Sequence, residues 1–283
     1  MGNWDPNKEI WMVNSNKQMI EDFQTTVAEA ELWRAVLDGT IEEIYWVGGE
    51  PLMYDIHWKI MTYLVENDLA KNVIVRYNTN LSRVTYGGCN LYDLLPHFKR
   101  VNMCCSQDAT GTTAEWIRTG LKWSNWLENF KAGIFLNDIY GMDAQVLDVT
   151  LTLPGLLDME SLIDLAVELG VKSYVKMSFD FDPSAIMSPM CLPRHILNPI
   201  LDRLIKYEQK HGNHLTKIYR ETFIDMKTRP TFADKYPNYF QGIKMGKARY
   251  QKIADHRRDG QLAITIEDIL ARDPAVLEWW NNV

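Results

Sequence analysis

At 283 residues, 46% hydrophobic and 24% charged, the chain is long enough to bury one substantial core and has the composition of an ordinary folded protein. No apolar run approaches the roughly 20 residues of a membrane helix, no basic-then-apolar leader opens the sequence, and four unpatterned cysteines argue against a disulfide scaffold. A cytoplasmic protein without a membrane partner is expected. The net charge of −7 is uneven: between Arg203 and Arg258, Lys and Arg outnumber Asp and Glu fourteen to five, so the C-terminal part is basic and the body acidic. Spread over that length rather than clustered, the basic residues read better as a solvated helical face than as a nucleic-acid surface.

In chain order, residues 17–37 carry apolar positions at helical spacing with acidic residues between them, which predicts an amphipathic helix packed on the outside of the fold and ended by Gly39. The run 44–47 is short, β-branched and aromatic, and is stopped by Gly48, Gly49 and Pro51, the pattern of a strand. A helix over 54–67, a strand over 72–77, a short helix over 91–97 and a strand over 101–106 follow. Residues 113–130 predict one tryptophan-rich helix. Then come a strand over 146–153, a helix over 159–169 closed by Gly170, and a strand over 173–179. Strict alternation of strands and helices indicates a parallel α/β sheet with right-handed crossovers. Beyond Phe181 the pattern changes to Pro-rich turns and then helices over 193–210, 215–227, 241–256 and 266–280. The expected division is therefore a strand-and-helix domain over 1–190 and a mostly helical extension over 191–283.

In such sheets ligands sit at the C-terminal ends of the strands, so the functional signal is polar residues gathered there. Gly48, Gly49 and Glu50 follow the first strand, Asn78 and Asn80 the second, Ser106 and Asp108 the third. Thr150 and Thr152 end the fourth, Ser178 and Asp180 the fifth. Each alone serves equally as a helix cap or turn former; recurrence at five successive ends marks a site. Gly-Gly lets backbone approach a ligand with no Cβ in the way, Glu50 offers a carboxylate to an ammonium group, and Pro51 stops the strand. Elsewhere, His211 and His214 flank a glycine in what reads as a solvated turn. Asp180 and Asp182 suit either an acid–base pair or turn caps. Trp116, Trp123 and Trp126 have near-helical spacing and read as core.

The run Gly48-Gly49-Glu50-Pro51 resembles the strand-end GGEP motif of radical S-adenosylmethionine (SAM) enzymes, which holds the methionyl amino group of SAM; the plainer alternative is a glycine-rich turn before a helix. Ser106-Gln107-Asp108-Ala109 resembles that family's SxDG, whose serine and aspartate bond the SAM ribose, with Ala109 in place of the glycine. EWIRTGLKW, from Glu115 to Trp123, is similar to the IRxGxxW segment of a twitch-domain-containing group of radical SAM proteins. On that resemblance Arg118 is the candidate grip on the methionyl carboxylate. Segments 188–197 and 247–253 are similar to the C-terminal half of the same group.

The resemblance covers about residues 40–255 and implies a partial (β/α)6, TIM-like barrel whose first strand and CxxxCxxC loop are missing from this chain, residues 1–17 reading as the linker after that loop. It further implies SAM as ligand, with Thr150 and Ser178 completing the binding set. Complete family members carry a [4Fe-4S] cluster, which Cys89, Cys104, Cys105 and Cys191 are not spaced to ligate. They also take a reductant, and cleave SAM to a 5′-deoxyadenosyl radical that abstracts hydrogen from a substrate, here unidentified. The alternative expectation is a non-catalytic SAM- or nucleoside-binding protein that has lost the cluster.

Overall fold

The computed structural model describes residues 14–178, 186–257 and 264–283; the stretch 1–13 and the Asp180 and Asp182 positions lie outside them. The strands are β1 (Glu43–Trp46), β2 (Ile74–Thr79), β3 (Thr85–Tyr86), β4 (Cys89–Asn90), β5 (Arg100–Ser106), β6 (Gln145–Leu151) and β7 (Ser173–Met177). Five of them form one parallel sheet in the order β1-β2-β5-β6-β7, which is chain order without reversal, as the alternation of elements predicts. β3 and β4 make a separate antiparallel hairpin across Gly87 and Gly88, whose φ angles of +57° and +85° suit the two central positions of a hairpin turn. That hairpin is absent from the sequence reading, although Gly-Gly between short runs was its signal.

Period-two alternation gives the sheet two unlike faces. Trp46, Val75, Tyr77, Met103 and Cys105 point to one face and are buried. Their neighbours Tyr45, Arg76, Asn78, Cys104 and Tyr174 point to the other and are half-buried or exposed. Helices cover the first face. His57, on the helix Asp55–Glu66, sits edge-on to Trp46 and Tyr77, at 4.9 and 5.6 Å between ring centroids, with its Nε2 2.9 Å from the Tyr77 hydroxyl. Gln145 donates to the Phe130 carbonyl (2.6 Å) and is held at its own backbone by the Asn137 amide. Tyr219, from the helix Lys217–Thr228, bonds Ser173 Oγ at 2.9 Å on the same face. One hydrophobic core runs through all of these elements, from Val36 to Trp280.

Three helices differ from the sequence expectation. The stretch 113–130 is two helices, Gly111–Ile117 and Trp123–Gly133, because Arg118 adopts an extended backbone and Gly120 a φ of +85°. The stretch 17–37 is helical over Asn14–Phe23, a π-turn over Gln24–Ala28 and a helix over Glu29–Leu37. Only its last turns pack as expected, Trp33 meeting Tyr63 edge-on at 5.4 Å, while Met19, Ile20 and Phe23 stay in solvent. The stretch 266–280 divides into Ile266–Leu270 and Pro274–Asn282, since Pro274 lacks the N–H to continue a helix and starts a new one, capped by Asp273. No helix among the described residues is long and apolar enough to cross a membrane.

Candidate functional site

The ends of β1 and β2 are tied together by Glu50. Gly48 and Gly49 turn the chain at φ of +86° and +55°, and a Cβ on Gly49 would fall 2.4 Å from the Tyr54 hydroxyl, so only glycine fits. The turn brings Glu50 to the N-cap of the short helix Pro51–Met53, with Pro51 at the first helical position. Its Oε1 accepts from Thr79 Oγ1 (2.5 Å) and Leu52 N (3.2 Å), and its Oε2 accepts from Asn80 N (2.7 Å). Three of the carboxylate's roughly four acceptor positions are thereby filled by protein. Asn80 closes an Asx turn onto Ser82 N at 2.9 Å, next to Leu81 in the left-handed region at φ +53°. The side chain of Asn78, on the open face of the sheet, makes no hydrogen bond to the described residues.

The ends of β5 and β6 are tied together by Asp108, which is buried. Its Oδ1 accepts from Thr150 N (2.9 Å), and its Oδ2 lies 2.8 Å from Arg118 Nη2. The two residues that the family resemblance assigns to the ribose and to the methionyl carboxylate are therefore paired with each other. Arg118 Nε is buried without an acceptor, so one donor of the guanidinium remains unspent. Ala109 is fully buried with a negative φ, so replacing the motif's glycine leaves the turn unstrained; the left-handed position falls to Gly111, at φ +52°. Thr152 caps the helix Leu153–Leu156 through Gly155 N, and a Cβ on Gly155 would fall 2.5 Å from the Asp108 carbonyl oxygen. Ser106 is half-buried, its hydroxyl without a hydrogen-bond partner among the described residues. Ser178 is engaged through its backbone, donating to Leu151 O and accepting from Ser188 Oγ, and borders a cavity of about 150 Å³ beneath the C-terminal helices.

Register sets these groups along one edge. Thr79 lies beside Cys105, and Ser106 beside Asp148, so the Glu50 tie and the Asp108–Arg118 pair flank each other at the C-terminal ends of successive strands.

The thiols do not fit a [4Fe-4S] cluster. None of the four is in a disulfide; Cys104 lies on the open face, while Cys105 and Cys191 are buried in the core. Burial, with Asp148 nearby, pushes the Cys104 thiol up, and burial pushes Cys105 up further, the opposite of what a thiolate ligand requires. Among the described residues no three His, Cys, Asp or Glu gather to hold a metal ion. His211 stacks on Tyr207 at 4.5 Å, and the turn after it is anchored by buried Glu208, which accepts from Thr216 Oγ1 and pairs with Arg220. His211, Asn213 and His214 are exposed, so the turn is solvated as its composition predicts, while Glu208 and Thr216 anchor it from below.

Sequence reasoning passed over a cavity of about 300 Å³ on the open face of the sheet, bordered by Tyr45, Arg76, Asn102 and Tyr174. Its signal was the alternation in β2, where Arg76 and Asn78 interleave with Val75 and Tyr77. Comparison with known protein families, with curated proteins and with solved structures finds no match to this chain.

Proposed function

We propose that this chain is a partial (β/α) barrel of the radical SAM type that binds SAM, or a closely related nucleoside, along the C-terminal edge of its parallel sheet. The observation that carries the reading is the convergence at that edge. Glu50 of the GGEP run, Asp108 of SQDA and Arg118 of EWIRTGLKW lie far apart in sequence and meet at neighbouring strand ends. Strand order without reversal, and helices placed on one face, favour a barrel segment over a doubly wound sheet, which reverses order and covers both faces.

SAM presents an ammonium, a carboxylate and a ribose diol. The remaining acceptor position on Glu50 and the backbone at Gly48 and Gly49 suit the ammonium. Arg118, turned from Asp108, suits the carboxylate, and Asp108 then accepts from the ribose hydroxyls. Arg118 then exchanges one carboxylate for another, while Asp108 exchanges the guanidinium for hydroxyl donors and keeps its bond from Thr150 N, so the buried carboxylate stays hydrogen-bonded. Because the thiols present do not form a cluster site, no radical step is assigned to this chain's own residues. Cysteine placement favours the second form of the reading, a SAM-binding protein without turnover of its own.

Calorimetry with SAM and with 5′-methylthioadenosine, which lacks the amino-acid moiety, tests the assignment. Wild type should bind SAM the more tightly, and Arg118→Gln should lose that preference by roughly tenfold, the worth of a charge-assisted hydrogen bond. No heat at millimolar SAM, or an undiminished preference in Arg118→Gln, would overturn it.

A further inference from the structure

The cavity on the open face of the sheet lies away from the edge that carries Glu50 and Asp108. Glu43, Ile74 and Arg100, which pair in register at the starts of β1, β2 and β5, all border it, so it sits toward the N-terminal ends of the strands. Tyr45 on β1 and Tyr174 on β7 border it together, although three strands lie between them. On a flat sheet those positions would be roughly 19 Å apart. That both border one cavity of about 300 Å³ means the two tyrosine side chains approach across this face, which makes a shallow trough, of a volume at the lower end of the range for small-molecule sites.

The charges in the trough are nearly all matched. Arg76 pairs with Glu43 at 3.3 Å and lies over the Tyr45 ring at 5.1 Å. Lys172 pairs with Asp143 at 2.6 Å, and the Tyr174 hydroxyl donates to the same carboxylate at 3.2 Å. Arg100 forms no ion pair within contact distance among the described residues, its charge acting only at longer range on Asp143, which Lys172 already pairs. Asn102 spends its amide N–H on the Asp143 carbonyl at 3.0 Å and keeps its oxygen free, while the Asn78 amide is wholly unspent. What remains for a ligand is one surplus cation, two partly exposed aromatic walls and two amide groups.

We infer that this trough binds a small organic monocarboxylate with a planar, conjugated body and a polar substituent. The carboxylate sits on Arg100, the body lies against Tyr45 and Tyr174, and the substituent reaches Asn78 or Asn102. A dianion is disfavoured because Glu43 and Asp143 would repel its second charge, and a neutral ring would leave Arg100 unused. The inference does not depend on SAM binding at the other end of the strands.

Cys104 borders the trough and is half-buried, so its alkylation reports on occupancy. Iodoacetamide reacts with the thiolate, the sulfur forming a bond to carbon as iodide leaves. At mildly alkaline pH the labelling of each cysteine is followed by peptide mass spectrometry, with the hairpin thiol Cys89 as internal control. The expected result is that 4-hydroxybenzoate slows labelling of Cys104 saturably and leaves Cys89 unchanged, while benzamide at the same concentration has no effect. Arg100→Gln, an exposed position whose melting should match wild type, should weaken the protection about tenfold or more. No protection at millimolar 4-hydroxybenzoate, equal protection by benzamide, parallel protection of Cys89, or full protection in Arg100→Gln would each overturn the inference.

Discussion

Replacing Glu50 by glutamine should weaken the fold by an amount set by the three bonds the carboxylate accepts. An amide retains one oxygen, which can keep Thr79 Oγ1 and Leu52 N, but it then turns its NH2 toward Asn80 N, a donor facing a donor. The surviving bonds lose their charge assistance, and the Asn80 N–H loses its acceptor at a half-buried position. Summed from typical values, the cost is about 2–4 kcal/mol, a large share of the roughly 5–15 kcal/mol that holds a domain together. For a chain of this size the melting temperature should fall by roughly 3–7 °C. Urea denaturation of wild type and Glu50→Gln reads this as a lower midpoint at unchanged slope. Hydrogen exchange should show faster opening of the amides of Asn80 and Leu81. A variant within about 0.5 kcal/mol of wild type would refute the idea that Glu50 joins the two strand ends, and would leave its carboxylate free for a ligand alone.

Burial without a charged partner lowers the His57 pKa from 6.5 to about 3. Between those values the unfolded chain binds the extra proton, so this contribution is complete above pH 6.5 and is lost as pH falls toward 3. At pH 5 the deficit is about 2 kcal/mol. Denaturation at pH 7 and pH 5 should show that loss in wild type and much less of it in His57→Gln; equal slopes would reject the assignment. A Cβ on Gly133 would lie 2.2 Å from Gln145 Oε1 and 2.3 Å from Tyr92 Cε1. Gly133→Ala should therefore cost about 1–3 kcal/mol as overpacking, and a neutral effect in chemical denaturation would show that Tyr92 and Gln145 can yield.

The five strands of the parallel sheet were legible because each is a short β-branched or aromatic run closed by glycine, proline or a polar end, and their order followed from alternation with helices. Boundaries moved where a polar residue continues the ladder, as Asn78 and Thr79 do in β2. The break between Ile117 and Trp123 was not legible, because apolar spacing runs through it and only the backbone of Arg118 and Gly120 shows the interruption. The residue types at the strand ends were legible, but their partners were not. Arg118 and Asp108 read as two independent ligand contacts, and only in three dimensions do they neutralise each other.

The same polar pattern marks a ligand site and the stitching of a parallel sheet, since strand ends must satisfy backbone groups whether or not a ligand binds. What separates the two is which atoms remain unspent. Glu50 and Asn80 are largely committed to backbone N–H groups, whereas Asn78, Ser106 and Arg118 Nε hold capacity that no described residue uses. A ligand at this edge therefore gains most from Ser106 and Arg118, and finds Glu50 already fixed in place. Substitution at Ser106 should change affinity with little change in stability, while substitutions at Glu50, and at Arg118, which neutralises buried Asp108, should change both. That division is what distinguishes a binding edge from a sheet that is merely well closed.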